Sequence, residues 1–266
     1  MESFHSLRFF DIADDIFSLV EQAGQAIRDI YNSDDISIEV KSDNSPVTTA
    51  DYRSNRIITD GLQTLFRDIP IISEESEIPD YDERKSWDYV WILDPLDGTK
   101  GFINRTGEFT INLGMVQKDT VTGGFIYAPI SRQMYFAAKG LGAFQYHENK
   151  QHRRLSARAY DNRQQGIKVL ASRHHNDALT QAHINTLHHP VVMERGAALK
   201  FVSIADGLAD YYPKMAHIME WDTAPGQILI EEAGGSVVQA ENGLPLKYNK
   251  PDLHNPHFIA SGKSAS

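Results

Sequence analysis

Trp91-Ile92-Leu93-Asp94-Pro95-Leu96-Asp97-Gly98-Thr99-Lys100 is the stretch on which the reading of this chain turns. A short apolar run ends abruptly in two carboxylates three positions apart, and a Gly-Thr pair follows. A buried strand that ends in acids delivers them to the edge of a sheet. Pro95 has one backbone angle fixed and no N–H, so it is expected to stop the strand. Asp97-Gly98-Thr99 has the chemistry of a turn that caps a helix or a tight turn. Carboxylates, backbone carbonyls and a hydroxyl then converge. That set suits a hard cation, with an anion-binding nest of backbone N–H groups beside it.

The flanking segments repeat the layout. Ile69-Pro70-Ile71-Ile72 reads as a short buried strand that runs into Ser73-Glu74-Glu75. Val47-Thr48-Thr49-Ala50-Asp51 leads into a helix whose apolar face is Ile57, Leu62, Leu65 and Phe66. Trp221-Asp222-Thr223 opens another helix, which runs through Ile228, Leu229 and Ala233 to a stop at Gly234-Gly235. Acids gathered at strand ends repel one another unless a cation sits among them. Each acid alone has a plainer reading: an Asp before a helix is usually a cap, and Glu74-Glu75 a solvated pair. Capping does not call for Asp-Pro-Leu-Asp-Gly-Thr.

Further out, apolar residues recur at helical spacing over residues 6–31, giving one long amphipathic helix or two in series, stopped by Asn32-Ser33-Asp34-Asp35. Ile36-Ser37-Ile38-Glu39-Val40 alternates as a half-buried strand, and Lys41-Ser42-Asp43-Asn44-Ser45-Pro46 follows as a loop. Residues 80–86 are charged and read as a solvated segment. Residues 109–116, 124–128, 134–138 and 143–146 read as an antiparallel meander. The polar, basic stretch 147–162 is the expected boundary. Beyond it strands at 167–171, 191–193, 208–212 and 236–238 alternate with helices at 178–187, 197–205 and from 221. The expected class is α+β, in two units. Residues 1–155 form an α+β unit with most of the acids, and residues 156–266 an α/β unit that supplies Asp222.

At 266 residues the chain can bury a substantial core. Its net charge of −10 argues against non-specific nucleic-acid binding, although a metal ion can reverse the sign locally for a phosphorylated metabolite. With no cysteine, disulfides, zinc–thiolate sites and cysteine nucleophiles are excluded. The N-terminus lacks the pattern of a signal peptide, and no apolar run approaches the ~20 residues of a membrane span. A cytoplasmic location is the expectation, with peripheral association at the inner membrane face as its variant. His174-His175 and His188-His189 lack the i, i+4 spacing of a helical metal site and read as surface or loop residues.

These blocks together resemble the inositol monophosphatase superfamily of metal-dependent, lithium-inhibited phosphatases. The first signature is Asp94-Pro95-Leu96-Asp97-Gly98-Thr99. The second is Trp221-Asp222 with Ala224, Gly226, Glu231, Ala233, Gly234 and Gly235. Ser73-Glu74-Glu75 and Val47-Thr48-Thr49-Ala50-Asp51 fill the other two positions, in the family's order. Lys100, the 41–48 loop, Thr106-Gly107-Glu108-Phe109-Thr110, Leu199-Lys200-Phe201 and Tyr212-Pro213 are similar to the 3′(2′),5′-bisphosphate nucleotidase branch. The pattern departs at Gly101 and at Glu220, an acid expected at the rim or on the metal.

The resemblance implies a layered α-β-α-β-α sandwich and a phosphomonoesterase. The reaction implied is removal of the 3′-phosphate of adenosine 3′,5′-bisphosphate, a by-product of sulfate assimilation. It implies that Glu74, Asp94 and the Leu96 carbonyl hold one Mg²⁺, and that Asp94, Asp97 and Asp222 hold a second, with a third ion at Glu74 as a variant. Asp51 and Thr99 are implied as the catalytic pair, and the backbones of Gly98 and Thr99 as the phosphate cradle. Lys200 is the leading candidate for the nucleotide side; its rival reading is a solvated helix lysine. Arg105, Lys100 and Lys214 are weaker candidates. The expected partner is a small nucleotide bisphosphate, with no nucleic acid, on a monomer or homodimer. An inositol-1-phosphate or sugar-phosphate phosphatase is the alternative on the same scaffold. A nucleotide-binding protein without turnover is the alternative from another class.

Overall fold

The computed structural model describes residues 2–33, 37–41, 46–161, 163–173, 177–216 and 218–265, with side chains from Phe9 onward. Asp34, Asp35, Ile36, loop residues 42–45, His174 and His175 therefore lie outside the described residues. The elements run α1 (Glu2–Tyr31), β1 (Ile38–Val40), β2 (Pro46–Thr48), α2 (Thr49–Leu65), β3 (Ile71–Ser73), α3 (Tyr81–Arg84), β4 (Tyr89–Asp97) and α4 (Thr99–Ile103). The meander follows as β5 (Thr110–Gln117), β6 (Thr120–Ala128), β7 (Gln133–Ala138) and β8 (Gly142–Gln145), then the short β9 (Arg153–Arg154) and β10 (Ala159–Tyr160). The remainder is β11 (Lys168–Ser172), α5 (Ala178–Ile184), β12 (Val191–Arg195), α6 (Leu199–Ala205), β13 (Tyr211–Lys214), α7 (Glu220–Glu232), β14 (Ser236–Gln239), β15 (Phe258–Ser261) and β16 (Lys263–Ser264).

Two sheets carry the fold. One has the order β3-β4-β5-β6-β7-β8-β9, antiparallel except for the β3–β4 pair. The other has the order β12-β11-β13-β15-β14 and is mixed. Strand alternation shows what covers each face, since neighbouring residues point to opposite sides. In the first sheet Trp91, Leu93, Ile111, Leu113, Tyr127 and Phe136 pack with α1 and α2. Their neighbours Val90, Ile92, Val116, Ile126 and Ala137 pack with α6 and α7. In the second sheet Leu170, Tyr212 and Ala260 face α6 and α7, while Val169, Ala171 and Tyr211 face Ile184 of α5. The layers are therefore α1/α2, sheet, α6/α7, sheet, α5: the α-β-α-β-α sandwich expected. Because both faces of β4 are covered, it reads as a continuous apolar run rather than an alternating one.

Helix α7 lies unusually close to the first sheet. A Cβ on Gly114 would stand 2.8 Å from the Ala224 Cβ, and one on Gly124 would stand 2.6 Å from the Pro225 Cα. The glycines let the helix backbone settle onto β5 and β6, and this sets the height of Asp222 above β4.

Several expectations need correction. Pro95 does not end its strand: β4 continues to Asp97, with a bulge where Asp94 pairs with Asn112 and Asp97 with Thr110. Pro95 and Leu96 are the residues left over in that bulge, a place where a missing N–H costs no ladder bond. The β1 strand is not half-buried; it forms a two-stranded hairpin with β2, and Ile38 and Val40 are exposed. The 80–86 segment holds α3, whose Arg84 is buried rather than solvated. Helix α6 begins at Leu199, because Ala197 has a left-handed φ of 50°. The strand expected at 208–212 lies at Tyr211–Lys214, and two strands not expected from the sequence, β15 and β16, follow β14. The 6–31 periodicity belongs to one helix. Residues of the first sheet lie between 71 and 154 and those of the second between 168 and 261.

Candidate active site

Alternation along β4 also decides where the acids go. Val90 and Ile92 face α7, and Asp94 follows on the same face. Asp222 sits in the first turn of α7. Past the bulge, Asp97 returns to the same place. One carboxylate oxygen from each of Asp94, Asp97 and Asp222 lies within 4.8 Å of the others, the group of acids among the described residues that is spaced to share an ion.

Each of the three carboxylates accepts from a backbone or side-chain N–H. The Leu96 N–H donates to Asp94 Oδ1 at 2.9 Å, Asn112 Nδ2 to Asp97 Oδ2 at 3.0 Å, and the Met219 N–H to Asp222 Oδ2 at 2.9 Å. This fixes the direction of the carboxylates without neutralising them. Burial, and then the charges of Glu74, Asp97 and Asp222, push Asp94 well above the ordinary carboxylate range. Burial and the neighbouring Asp97 and Glu74 do the same to Asp222. Burial also raises Asp97, against the pull of Lys200 and Asn112. A buried group of like charges is what a hard divalent cation offsets, and an all-oxygen donor set suits Mg²⁺.

Glu74 lines the same cavity but stands outside the close triad. Its N–H donates to the Leu93 carbonyl at 3.1 Å, which continues the β3–β4 pairing and sets it beside Asp94. Its carboxylate accepts from Lys41 Nζ at 2.7 Å, and Glu75 accepts from the same ammonium at 2.5 Å. Asp51 serves two purposes at the start of α2. Its Oδ2 accepts from the Thr48 N–H (2.8 Å) and the Thr48 hydroxyl (2.6 Å), the capping arrangement. Its Oδ1 accepts from the Thr99 hydroxyl at 3.2 Å, and that hydroxyl also lies 3.3 Å from the Leu96 carbonyl. Burial raises Asp51, and the Thr48 and Thr99 donors work against it. Ser54 donates to the Pro95 carbonyl at 2.7 Å and so ties α2 to the bulge.

Gly98 turns the chain into α4 at a φ of 92°, and a Cβ there would stand 3.0 Å from the Glu108 carbonyl oxygen. Glycine alone meets both demands.

The cavity, of about 440 Å³, is lined on one side by this acidic group. Lys200, Lys214, Tyr212, Met219 and His254 form other parts of its wall. The solvated reading of Lys200 is wrong: it is 7% exposed, its Nζ donates to the Ala197 carbonyl at 2.7 Å, and it lies 5.4 Å from the centre of the Tyr212 ring. Lys214 is 6% exposed, with Asp177 3.8 Å away. Burial lowers the pKa of both lysines; nearby acids, Asp97 for Lys200 and Asp177 for Lys214, oppose it. Lys100 lines the mouth. Arg105 does not line it: its guanidinium donates to the Ser33 carbonyl and lies over Tyr31. Glu220 is neither at the rim nor on the metal. It is wholly buried against the 249–250 backbone. His188 and His189 are exposed.

Asn112, Ser54 and His254 were not singled out from the sequence, and Lys41 only as part of the 41–48 loop. Asn112 had a signal, a polar side chain inside an otherwise apolar strand. Ser54 and His254 had none.

A model of the inositol monophosphatase family matches residues 11–265, and the chain belongs to that family. Its similarity is to the nucleotidase branch. It is 36% identical over 251 residues to the 3′(2′),5′-bisphosphate nucleotidase CysQ of Escherichia coli strain K12, covering 93% of this chain and 98% of that one. It is 34% identical over 270 residues to CysQ of Buchnera aphidicola, covering 98% of each. Among solved structures, CysQ from Bacteroides thetaiotaomicron superposes with a TM-score of 0.81 at 35% identity, covering 93% of this chain and 95% of that one. An inositol monophosphatase from Thermotoga maritima shares the fold, with a TM-score of 0.77 at 24% identity over 94% and 92% of the two chains.

Proposed function

We propose that this chain is a Mg²⁺-dependent phosphomonoesterase that removes the 3′-phosphate of adenosine 3′,5′-bisphosphate, giving AMP and phosphate. The observation that carries the reading is one cavity lined by an acid triad, with Asp94 buried and Asp97 and Asp222 partly buried, and by two buried lysines. The triad calls for divalent cations and, through them, one phosphate. Lys200 and Lys214 have Asp97 and Asp177 near them, yet both ammonium groups line the cavity, where the loss of water makes a second anion favourable. A monophosphate of an uncharged polyol answers only the first demand; a nucleoside bisphosphate answers both. The relatives named as bisphosphate nucleotidases support the same substrate class.

In this reading Glu74, Asp94 and the Leu96 carbonyl hold one Mg²⁺, and Asp94, Asp97 and Asp222 hold a second; a third would sit at Glu74. When bound, Mg²⁺ polarises the phosphoryl oxygens and makes a water more acidic. The chain supplies the rest. Asp51 Oδ2 is occupied by Thr48, so Oδ1 is the oxygen that draws on the Thr99 hydroxyl. That hydroxyl would take the proton of the attacking water as its own proton passes to Asp51 Oδ1, so the carboxylate is the net base. The Gly98 and Thr99 N–H groups cradle the phosphate as charge grows on it. Lys200 and Lys214 hold the second phosphate and so place the 3′-ester against the triad.

Residues 1–155 and 156–266 are proposed as the two units, the first carrying Asp51 to Lys100 and the second the lysine wall and Asp222. A cytoplasmic enzyme, monomeric or dimeric, fits the same reading. The test is phosphate release from adenosine 3′,5′-bisphosphate and from inositol 1-phosphate, in Mg²⁺, with and without tens of millimolar Li⁺. Release from the bisphosphate alone, suppressed by Li⁺, is expected. Preference for inositol 1-phosphate would overturn the substrate, and indifference to Li⁺ would count against the metal scheme.

A further inference from the structure

Glu220 is a fully buried carboxylate two residues before Asp222, yet it faces away from the triad. It accepts from the Asn249 N–H at 2.5 Å, from the Lys250 N–H at 3.2 Å and from the Lys250 ammonium. Lys250 Nζ also reaches the Lys247 carbonyl at 2.9 Å and Asn255 Oδ1 at 3.3 Å. Asn255 turns its amide the other way, donating to the Met219 carbonyl at 3.2 Å and the Thr223 hydroxyl at 2.6 Å. Met219 in turn donates its N–H to Asp222 Oδ2. An unbroken chain of polar contacts thus runs from Glu220 through Lys250, Asn255 and Met219 to a metal-side carboxylate.

The far end of that chain is anchored as well. Arg84 of α3 donates to Asn249 Oδ1 at 2.7 Å, and Asn249 Nδ2 returns a bond to the Arg84 carbonyl at 2.9 Å. Asn249 has a left-handed φ of 52°, a conformation that needs such support in a residue other than glycine. The Glu220 N–H donates to the Leu253 carbonyl and the Asn255 N–H to the Ile218 carbonyl, closing the 249–255 segment onto the start of α7.

We propose that Glu220 is a positioning residue for the metal site, acting through Lys250 and Asn255 on Met219 and so on the direction of Asp222. Its chemistry suits the task. Met219 at the N-cap of α7 offers no side-chain oxygen, so among the described residues the side chain that caps the first turn is that of Asp222 itself. A carboxylate that must both cap its helix and face a cation needs its backbone donor held still. The pair of buried Glu220 and partly exposed Lys250 does that from behind, as outer groups commonly fix metal ligands. The inference rests on the assignment of Asp222 to Mg²⁺.

Mg²⁺ titration calorimetry on the substrate-free protein, beside thermal melts in EDTA, tests it. Glu220→Gln and Lys250→Met are each expected to weaken Mg²⁺ binding about tenfold, and Glu220→Asp to recover part of the loss. Lys250→Met, at a partly exposed position, keeps the test decisive if Glu220→Gln folds poorly. Asp222→Asn serves as the reference. If Asp222→Asn leaves Mg²⁺ affinity untouched, the metal assignment fails. If Asp222→Asn weakens binding while Glu220→Gln and Lys250→Met lower only the melting temperature, the metal assignment stands and Glu220 is structural, which overturns the proposal.

Discussion

Asp94 stands where the demands on the site meet. It continues the α7-facing side of β4, it is buried, and Glu74, Asp97 and Asp222 all repel its charge. Asp94→Asn is therefore expected to reduce turnover at least about a thousandfold while raising the metal-free melting temperature by ~2–4 °C, as about 1 kcal/mol of repulsion is relieved. Parallel rate assays and melts in EDTA check both halves. Near-normal activity would contradict the ligand assignment. Lys214→Ala is expected to raise KM for the bisphosphate about 10–100-fold, the loss of one charged contact, with little change in kcat. At this scale the acids were legible because their spacing has no other use. The lysines were not: an isolated Lys on a short helix or strand carries no mark of whether its tip meets water or a cavity. Glu220 was misread for a related reason, since its partners Asn249 and Lys250 lie some thirty residues away in sequence.

The elements place those residues through close packing. Gly114 and Gly124 let α7 rest on β5 and β6, so Gly124→Val should overpack that contact. We expect a loss of about 1–3 kcal/mol in denaturant melts, and weaker Mg²⁺ binding as Asp222 lifts from Asp94. On the outer layer, His183 of α5 lies 2.9 Å from the Tyr211 hydroxyl of β13, and burial lowers its pKa below 6.5. A depressed histidine favours the folded state fully above the unfolded pKa, and that contribution falls away as pH drops below about 6.5. His183→Gln should therefore flatten the acid side of the stability profile and leave the region above pH 7 unchanged. Melts from pH 5 to 8 read this directly. The helices and the meander were legible from periodicity. The bulge at Pro95 was not, because proline signals a break equally well at a strand end and inside a bulge. The exposed β1 strand was not legible either, since alternation cannot tell a covered face from a bare hairpin.

At the scale of the whole molecule, each half of the chain leaves the cavity incomplete. Glu74, Asp94 and Asp97 come from the first half, and Lys200, Lys214 and Asp222 from the second. Glu108 joins them across the mouth: its carboxylate accepts from Arg173 at 2.9 Å, from Arg195 at 3.3 Å and from the Gly196 N–H at 2.9 Å. The layer order followed from the family resemblance and the segregation of strands. The packing between the two sheets did not, because α7 belongs in sequence to the second half and packs on both sheets. The central claim is that this cavity reads two phosphates, one through the acids and one through the lysines. The most direct measurement is kcat/KM for adenosine 3′,5′-bisphosphate relative to adenosine 3′-monophosphate, in saturating Mg²⁺. The account predicts a preference for the bisphosphate of about 100-fold or more, the worth of one or two charge-assisted contacts. Equal rates on the two substrates would contradict it.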